Sequence, residues 1–294
     1  MSTTDTQHMS TDLEPRQLRV VHTTGFSYTG EVDASFNEAR MTPPSGLEQL
    51  TTLNRVEIAP SAWTHTYLDY WGSAVTAFEV NEAHRELTVT ATSTVRVART
   101  PAEPGSVSWE DVTSAAVREE HVEMLEVDEV CEPHPELAER GRALRASSET
   151  PGAFATAVCA LIHDEVEYEA GSTDVQTRAA EAWEERHGVC QDMAHLVLGL
   201  LRTHGVPARY VSGYLHPDPD APIGVQVAGE SHAWVEWWDG EWVAWDPTNA
   251  SPVGNSHVEV AHGRTYADVA PLRGIFAGAD TAEMFVEVAI TRLT

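Results

Sequence analysis

Two patterns of hydrophobic and polar positions divide the chain. From Leu18 to Val97 apolar and polar residues alternate, the period of strands with one buried face. The segment L-R-V-V-H-T-T-G-F-S-Y opens this run and E-L-T-V-T-A-T-S-T-V-R-V closes it; in the latter Leu87, Val89, Ala91, Val95 and Val97 share one face. Asp69 to Phe78, D-Y-W-G-S-A-V-T-A-F, reads as a turn and a further strand. Residues 17–98 are expected to form an N-terminal antiparallel β-sandwich domain, preceded by a disordered leader over 1–16.

Beyond residue 98 the period changes. Residues 99–110 are rich in Pro and Gly, and Arg118 is the single arginine among many acids between Glu103 and Glu139. Residues 99–150 are therefore expected to be an acidic linker and helical segment, with a helix at Pro133–Ser147. Pro151–Val166 predicts a second helix, with Pro in the first position after Thr150 and apolar Phe154, Val158, Leu161 and Ile162. A short helix is expected over Thr177–Glu185. The stretch Trp183–Leu201, W-E-E-R-H-G-V-C-Q-D-M-A-H-L-V-L-G-L-L, then places Cys190 directly after a glycine turn. It lies in the first turn of a helix whose Met193, Leu196, Val197, Leu200 and Leu201 form one apolar stripe. That helix ends at His204-Gly205. Strands follow at Ala208–Leu215, Ser231–Trp237 and Glu241–Asp246. The fold class is thus α+β: a sandwich first, then a unit over 151–294 in which the cysteine helix packs on an antiparallel sheet.

Composition narrows the classes of partner. The formal net charge of the 294-residue chain is −28, and all 18 basic residues are arginine. Such a surface argues against nucleic acid and anionic membranes as partners, and it suits a high-salt interior. The first twenty residues are polar and no run is long enough to span a membrane, so a cytoplasmic location is expected. Cys131, Cys159 and Cys190 are too few and too irregular for a disulfide framework or a zinc site. No EF-hand pattern is present, and His195, His204, His216, His257 and His262 form no metal-like grouping, so neither metal nor cofactor is expected.

Cys190 is the natural centre of chemistry. Free N–H groups and the helix dipole favour a thiolate at a helix start. A thiol nucleophile also needs a base, commonly a histidine oriented by a carboxylate. S-H-A-W-V-E-W-W provides His232, and W-V-A-W-D-P-T-N provides Asp246. A three-residue turn, Trp238-Asp239-Gly240, would pair Trp237 with Glu241 and set His232 directly opposite Asp246. Trp234 and Ala244 would share that face, with Val235, Trp237, Val243 and Trp245 on the other. Trp234 is then expected as a wall of a substrate cleft, with Tyr210 and Tyr214 nearby and the loop Asp218–Glu230 as a lid. The backbone N–H of Cys190 is one oxyanion donor, and Gln191 and Trp183 are candidates for a second.

The segments H-G-V-C-Q-D-M-A-H, G-V-P-A-R-Y-V-S-G-Y, S-H-A-W-V-E and W-V-A-W-D-P-T-N resemble the bacterial transglutaminase-like superfamily, whose fold is papain-like. The tail H-V-E-V-A-H-G-R-T-Y-A-D-V-A-P-L-R-G and the early segments Y-T-G-E-V, N-E-A-R-M-T-P and D-Y-W-G-S are similar to one bacterial branch. The resemblance implies a catalytic triad of Cys190, His232 and Asp246 and acyl transfer through a thioester. The substrate would be a carboxamide or peptide bond of a protein or peptide. Water in place of an amine would make the protein a cysteine peptidase or amidase. A non-catalytic binding protein on the same fold would lack thiol reactivity, and an acetyltransferase with the same residue order would require coenzyme A.

Overall fold

A computed structural model of the chain describes residues 14–100, 104–105, 107–218, 220–278 and 281–294. Most of the leader expected over 1–16 lies outside the described residues.

The first six elements are the strands β1 (Arg16–Val32), β2 (Ala34–Thr42), β3 (Gln49–Ala59), β4 (Trp63–Leu68), β5 (Ala74–Val80) and β6 (His84–Val97). The helical segment holds α1 (Trp109–Val112), α2 (Ala115–Glu120), a 3-10 turn at Val122–Leu125, α3 (Pro135–Ser147) and α4 (Pro151–Glu165). In α4 the Thr150 hydroxyl accepts the Ala153 N–H at 3.1 Å, with proline in the first turn, as the sequence implied. After the short strand β7 (Glu167–Tyr168) come α5 (Ala179–Glu185), β8 (His187–Gly188) and α6 (Cys190–Thr203). The chain then forms β9 (Ala208–Leu215), β10 (Gln226–Trp238), β11 (Trp242–Asp246), β12 (Ser251–Pro252) and β13 (His257–Gly263). It ends in α7 (Tyr266–Val269), β14 (Leu272–Ala277) and β15 (Ala282–Arg292).

Alternation in the first hundred residues does what period two requires. Leu87, Val89, Ala91, Val95 and Val97 are all buried. Leu87, Val89 and Ala91 face Met41, Phe78 and Val80 of a second sheet, ordered β14–β2–β5–β4. The two sheets form the expected sandwich, and the fold is α+β with antiparallel main sheets.

The large sheet does not stop at the sandwich. Its strands run β12–β11–β10–β15–β1–β6–β3, and β9 joins β10 while β13 joins β9. Strand β15 lies between β1 and the first part of β10, pairing Val20 with Ile290 and Gly229 with Val288. Strand β14 pairs with β2. The last two strands, expected in the 151–294 unit, thus pair with strands of the N-terminal sheets. The expected lid is corrected by the same pairing, because Gln226–Gly229 are strand residues bonded to β15.

Helix α6 is buried all round, not along one stripe: Ala194, Leu198 and Gly199 are enclosed as fully as Leu196 and Leu200. It packs between α4, α5 and the β9–β10 sheet. A side chain at Gly199 would meet the Cys131 carbonyl oxygen at 1.9 Å, so only glycine fits where that segment crosses. Each buried Leu, Val or Met contributes about 1.5–3 kcal/mol, which anchors the helix that carries the cysteine. The linker is also tied down, since the Asp239 carboxylate accepts the Val107 N–H at 3.1 Å. Among the described residues no helix is long and apolar enough to cross a membrane.

Candidate active site

Cys190 is the first residue of α6, after extended Val189. The earliest bonds of this turn run from the Asp192 and Met193 N–H groups to the Val189 carbonyl, at 3.0 and 3.1 Å. The N–H groups of Cys190 and Gln191 precede that ladder, at the positive end of the helix. Asp192 secures the turn by accepting the Val189 N–H at 2.8 Å and the Thr173 hydroxyl at 2.6 Å. Cys190 is partly exposed, whereas Cys131 and Cys159 are buried. Burial pushes the Cys131 thiol up to about 12 and raises that of Cys159 as well, which keeps both unreactive.

Strands β10 and β11 bring His232 and Asp246 together, but not in the expected register. Trp238 pairs with Trp242 and Val235 with Trp245, so Glu241 lies in the turn and the pairing is two residues away from the expected one. The turn is Asp239-Gly240-Glu241, closed by the Asp239 N–H on the Glu241 carbonyl at 2.9 Å, with Gly240 at φ 87. A shift of two preserves the faces. Trp234 and Ala244 still lie on one side, and Val235, Trp237, Val243 and Trp245 on the other. His232 and Asp246 are therefore diagonal neighbours, not directly opposed, which long side chains can bridge.

The bridge is made. His232 Nε2 donates to Asp246 Oδ2 at 2.7 Å, with both groups buried. Asp246 Oδ2 also accepts from Asn249 Nδ2 at 2.7 Å and from His257 Nε2 at 3.2 Å. Oδ1 accepts the N–H groups of Thr248 and Asn249 at 2.9 and 3.2 Å. Burial alone would raise the Asp246 pKa, but the hydrogen bonds from both histidines hold it well below the usual carboxylate range. Burial would lower the His232 pKa; hydrogen bonding and charge from Asp246, then from Cys190, outweigh it and raise the value to about 10. With Nε2 committed to Asp246, Nδ1 is the ring nitrogen left for Cys190.

His257 was not singled out by the sequence, because it reaches the carboxylate through the pairing of β13 with β9. Its Nδ1 accepts the Gly254 N–H at 3.2 Å, so the proton is on Nε2, facing Asp246. Burial keeps this ring neutral, with a lowered pKa. The sandwich holds the segment in place: Arg99 Nη1 donates to the His257 carbonyl at 2.8 Å, and Gln49 exchanges two hydrogen bonds with the Glu259 backbone, at 2.9 and 3.0 Å. The ligand atoms of His232, Asp246 and His257 lie within 4.8 Å of one another, a donor set able to hold a cation. Both Nε2 protons would have to leave first.

A cavity of about 190 Å³ opens beside the sulfur, lined by Cys190, Gln191, Tyr210 and His232, and by His22 and Val286 from the sandwich. A hollow of about 620 Å³ on the outer face of the small sheet, between Trp63, His65 and Arg273, is larger but holds no thiol, so the chemistry is assigned to the smaller cavity. Of the residues expected around the cleft, Gln191 and Tyr210 line it. Trp234 does not: it is fully buried, with its ring edge-on to His257 at 5.4 Å, and supports the histidines from beneath. Tyr214 reaches the cavity only through His22. Trp183 is also fully buried and stacks under Arg186 at 3.7 Å, away from the cavity wall, so it is withdrawn as an oxyanion donor. His195 is a buried acceptor for the Tyr266 N–H at 3.3 Å.

Residues 138–247 match the transglutaminase-like superfamily, and residues 18–96 match the bacterial transglutaminase-like N-terminal region. An uncharacterised protein of Mycobacterium leprae is 41% identical over 277 residues, covering 94% of this chain and 99% of its own. A Pseudomonas aeruginosa protein named protein-glutamine gamma-glutamyltransferase is 38% identical over 72 residues, covering 22% of this chain and 10% of that one. The crystal structure of a candidate cysteine protease from Cytophaga hutchinsonii superposes with a TM-score of 0.76 at 21% identity, over 96% of this chain and 92% of that one, and so shares the fold. With both regions matched in order around the Cys190 helix, the chain belongs to the transglutaminase-like superfamily, in the bacterial form with a β-rich N-terminal region.

Proposed function

We propose that the protein is a cysteine-dependent acyl-transfer enzyme, with Cys190 as nucleophile, His232 as general base and acid, and Asp246 as the group that orients and charges the imidazole. The observation that carries this is the His232–Asp246 bond at 2.7 Å, in the one ring whose other nitrogen is left for a helix-start thiol. The raised His232 pKa supports an imidazolium at neutral pH beside the sulfur, the partner that a thiolate nucleophile requires.

In this mechanism the Cys190 thiolate attacks the carbonyl carbon of a carboxamide or peptide bond. The carbonyl π pair moves to oxygen, which faces the N–H of Cys190 and the side-chain amide of Gln191. Collapse breaks the C–N bond, and the departing nitrogen takes the proton from His232 Nδ1. The resulting thioester is attacked by an amine or by water, whose proton returns to His232, and the thiolate leaves. The partial likeness to a protein-glutamine gamma-glutamyltransferase supports a glutamine carboxamide on a protein as acyl donor and an amine as acceptor.

The test uses casein as acyl donor and a fluorescent primary amine as acceptor, with amine incorporation and peptide cleavage followed in the same samples. Incorporation by the wild type and its loss in Cys190→Ala are expected. Cleavage without incorporation would assign the hydrolytic branch, and unchanged activity in Cys190→Ala would overturn the mechanism.

A further inference from the structure

Where the sandwich meets the cavity, one side chain has no part in this mechanism. His22, in the middle of β1, is 1% exposed and lines the cavity with Cys190, Gln191 and His232. Its Nδ1 lies 2.9 Å from the Tyr214 hydroxyl, and the two rings meet edge to face at 5.5 Å. Its Nε2 is buried and has no hydrogen-bond partner among the described residues. An idle polar nitrogen inside a sandwich costs stability and contributes no packing that a leucine would not.

The tautomer follows from Tyr214. The single phenolic hydrogen has His22 Nδ1 as its partner, and burial raises the phenol pKa, so the hydroxyl keeps its proton. Nδ1 then accepts, and the ring hydrogen is on Nε2. Burial lowers the His22 pKa to about 4, so near neutrality the ring is an uncharged donor. Apart from the Cys190–His232 pair, the surroundings are uncharged. Leu272, Met284 and Val286 form an apolar wall, Ser212 and Ser231 add hydroxyls, and no Arg, Asp or Glu lines the cavity among the described residues. Gln191 Nε2 is a second buried N–H without a partner on the same wall. A wall with idle N–H donors and no charge beyond the Cys190–His232 pair suits an uncharged group that bears a carbonyl oxygen.

We propose that His22 is a substrate-positioning residue whose Nε2–H donates to a carbonyl oxygen of the acyl donor, so that the N-terminal sandwich forms part of the acyl subsite for an uncharged carboxamide or backbone amide. This rests on the thiol mechanism above.

Stoichiometric labelling of the full chain tests it without turnover. Iodoacetamide carries a carbonyl; Cys190 Sγ displaces its iodide and a C–S bond forms. Methyl methanethiosulfonate carries none; the same sulfur forms a disulfide and methanesulfinate leaves. Buried Cys131 and Cys159 do not compete. His22→Leu is expected to slow iodoacetamide about three- to tenfold, the range of one hydrogen bond, while methanethiosulfonate stays within about twofold. His22→Asn, which keeps an amide against Tyr214 but withdraws the outer donor, should give the same split should the leucine variant fold poorly. His22→Gln, which extends a donor, should recover part of the iodoacetamide rate. Equal slowing of both reagents would make His22 a structural residue and overturn the proposal, as would an unchanged ratio in both His22→Leu and His22→Asn. A wild-type Cys190 inert to both reagents would instead overturn the thiol mechanism itself.

Discussion

Replacing Asp246 with Asn keeps the outline of the side chain and removes its charge. The amide oxygen can still accept from the backbone N–H groups of Thr248 and Asn249 at 2.9 and 3.2 Å. The NH₂ group then falls where Oδ2 was, facing hydrogens on His232 Nε2 at 2.7 Å, Asn249 Nδ2 at 2.7 Å and His257 Nε2 at 3.2 Å. Flipping the amide exchanges these clashes for two with the backbone. The His232 ring can respond only by giving up its Nε2 hydrogen, which puts the neutral ring's proton on Nδ1, toward Cys190. That tautomer cannot take a proton from the thiol. In a hydrolytic triad the equivalent change costs about 10⁴-fold in kcat, and a similar loss is expected here. Leaving buried donors without an acceptor costs a further 3–5 kcal/mol or so of stability. The assays are amine incorporation into casein, urea unfolding and an NMR titration of His232. Its pKa is expected to fall from about 10 to below the ordinary histidine value, because burial then acts with far less opposition. Activity within tenfold of wild type, or a His232 that still titrates near 10, would refute the reasoning.

Further outcomes follow from the same geometry. His257→Phe keeps a ring against Trp234 but removes one charge-assisted donor from Asp246, so kcat should fall about tenfold with KM little changed, as initial rates would show. Activity should decline as pH rises through about 10, where His232 loses the proton needed by the leaving group. The stability contributed by that raised pKa is complete below the unfolded histidine value of about 6.5 and is lost as pH rises through about 10, a loss that unfolding curves of wild type and His232→Ala would reveal as convergence. Gly213 sits opposite His232, and an added Cβ would meet the Val258 carbonyl oxygen at 2.1 Å and the Trp234 ring at 2.5 Å. Gly213→Ala should therefore cost about 1–3 kcal/mol in denaturant unfolding and reduce activity as well.

What could be read from the sequence was local. The cysteine helix, its glycine C-cap and strand Ala208–Leu215 follow from period and turn chemistry, and the structure has them at the expected residues. The faces of the His232 hairpin were also legible, because side-chain period is two and any even shift preserves them. The register was not. Asp239 is drawn out of the strand by its carboxylate, which holds the Gly105 and Val107 N–H groups of the linker, more than a hundred residues earlier. His257, His22 and the β15 wall were illegible for the same reason: each reaches the site through pairing between distant segments. Trp234 was misassigned because sharing a face with His232 does not place a ring at the open end of that face. Ala244, Val211 and Val253 close over it.

The position of β15 has a consequence for synthesis. Its partner β1 is synthesised well before it, for Leu18 pairs with Arg292 and Tyr28 with Ala282. At about 5–20 residues per second, the nascent chain carries one open edge on β1 for roughly 15–50 s. An open edge is a template for pairing with other chains until β15 covers it. The cavity beside Cys190 lacks its Met284 and Val286 wall throughout that interval. Cys190 is thus translated well before the full cavity beside it can form.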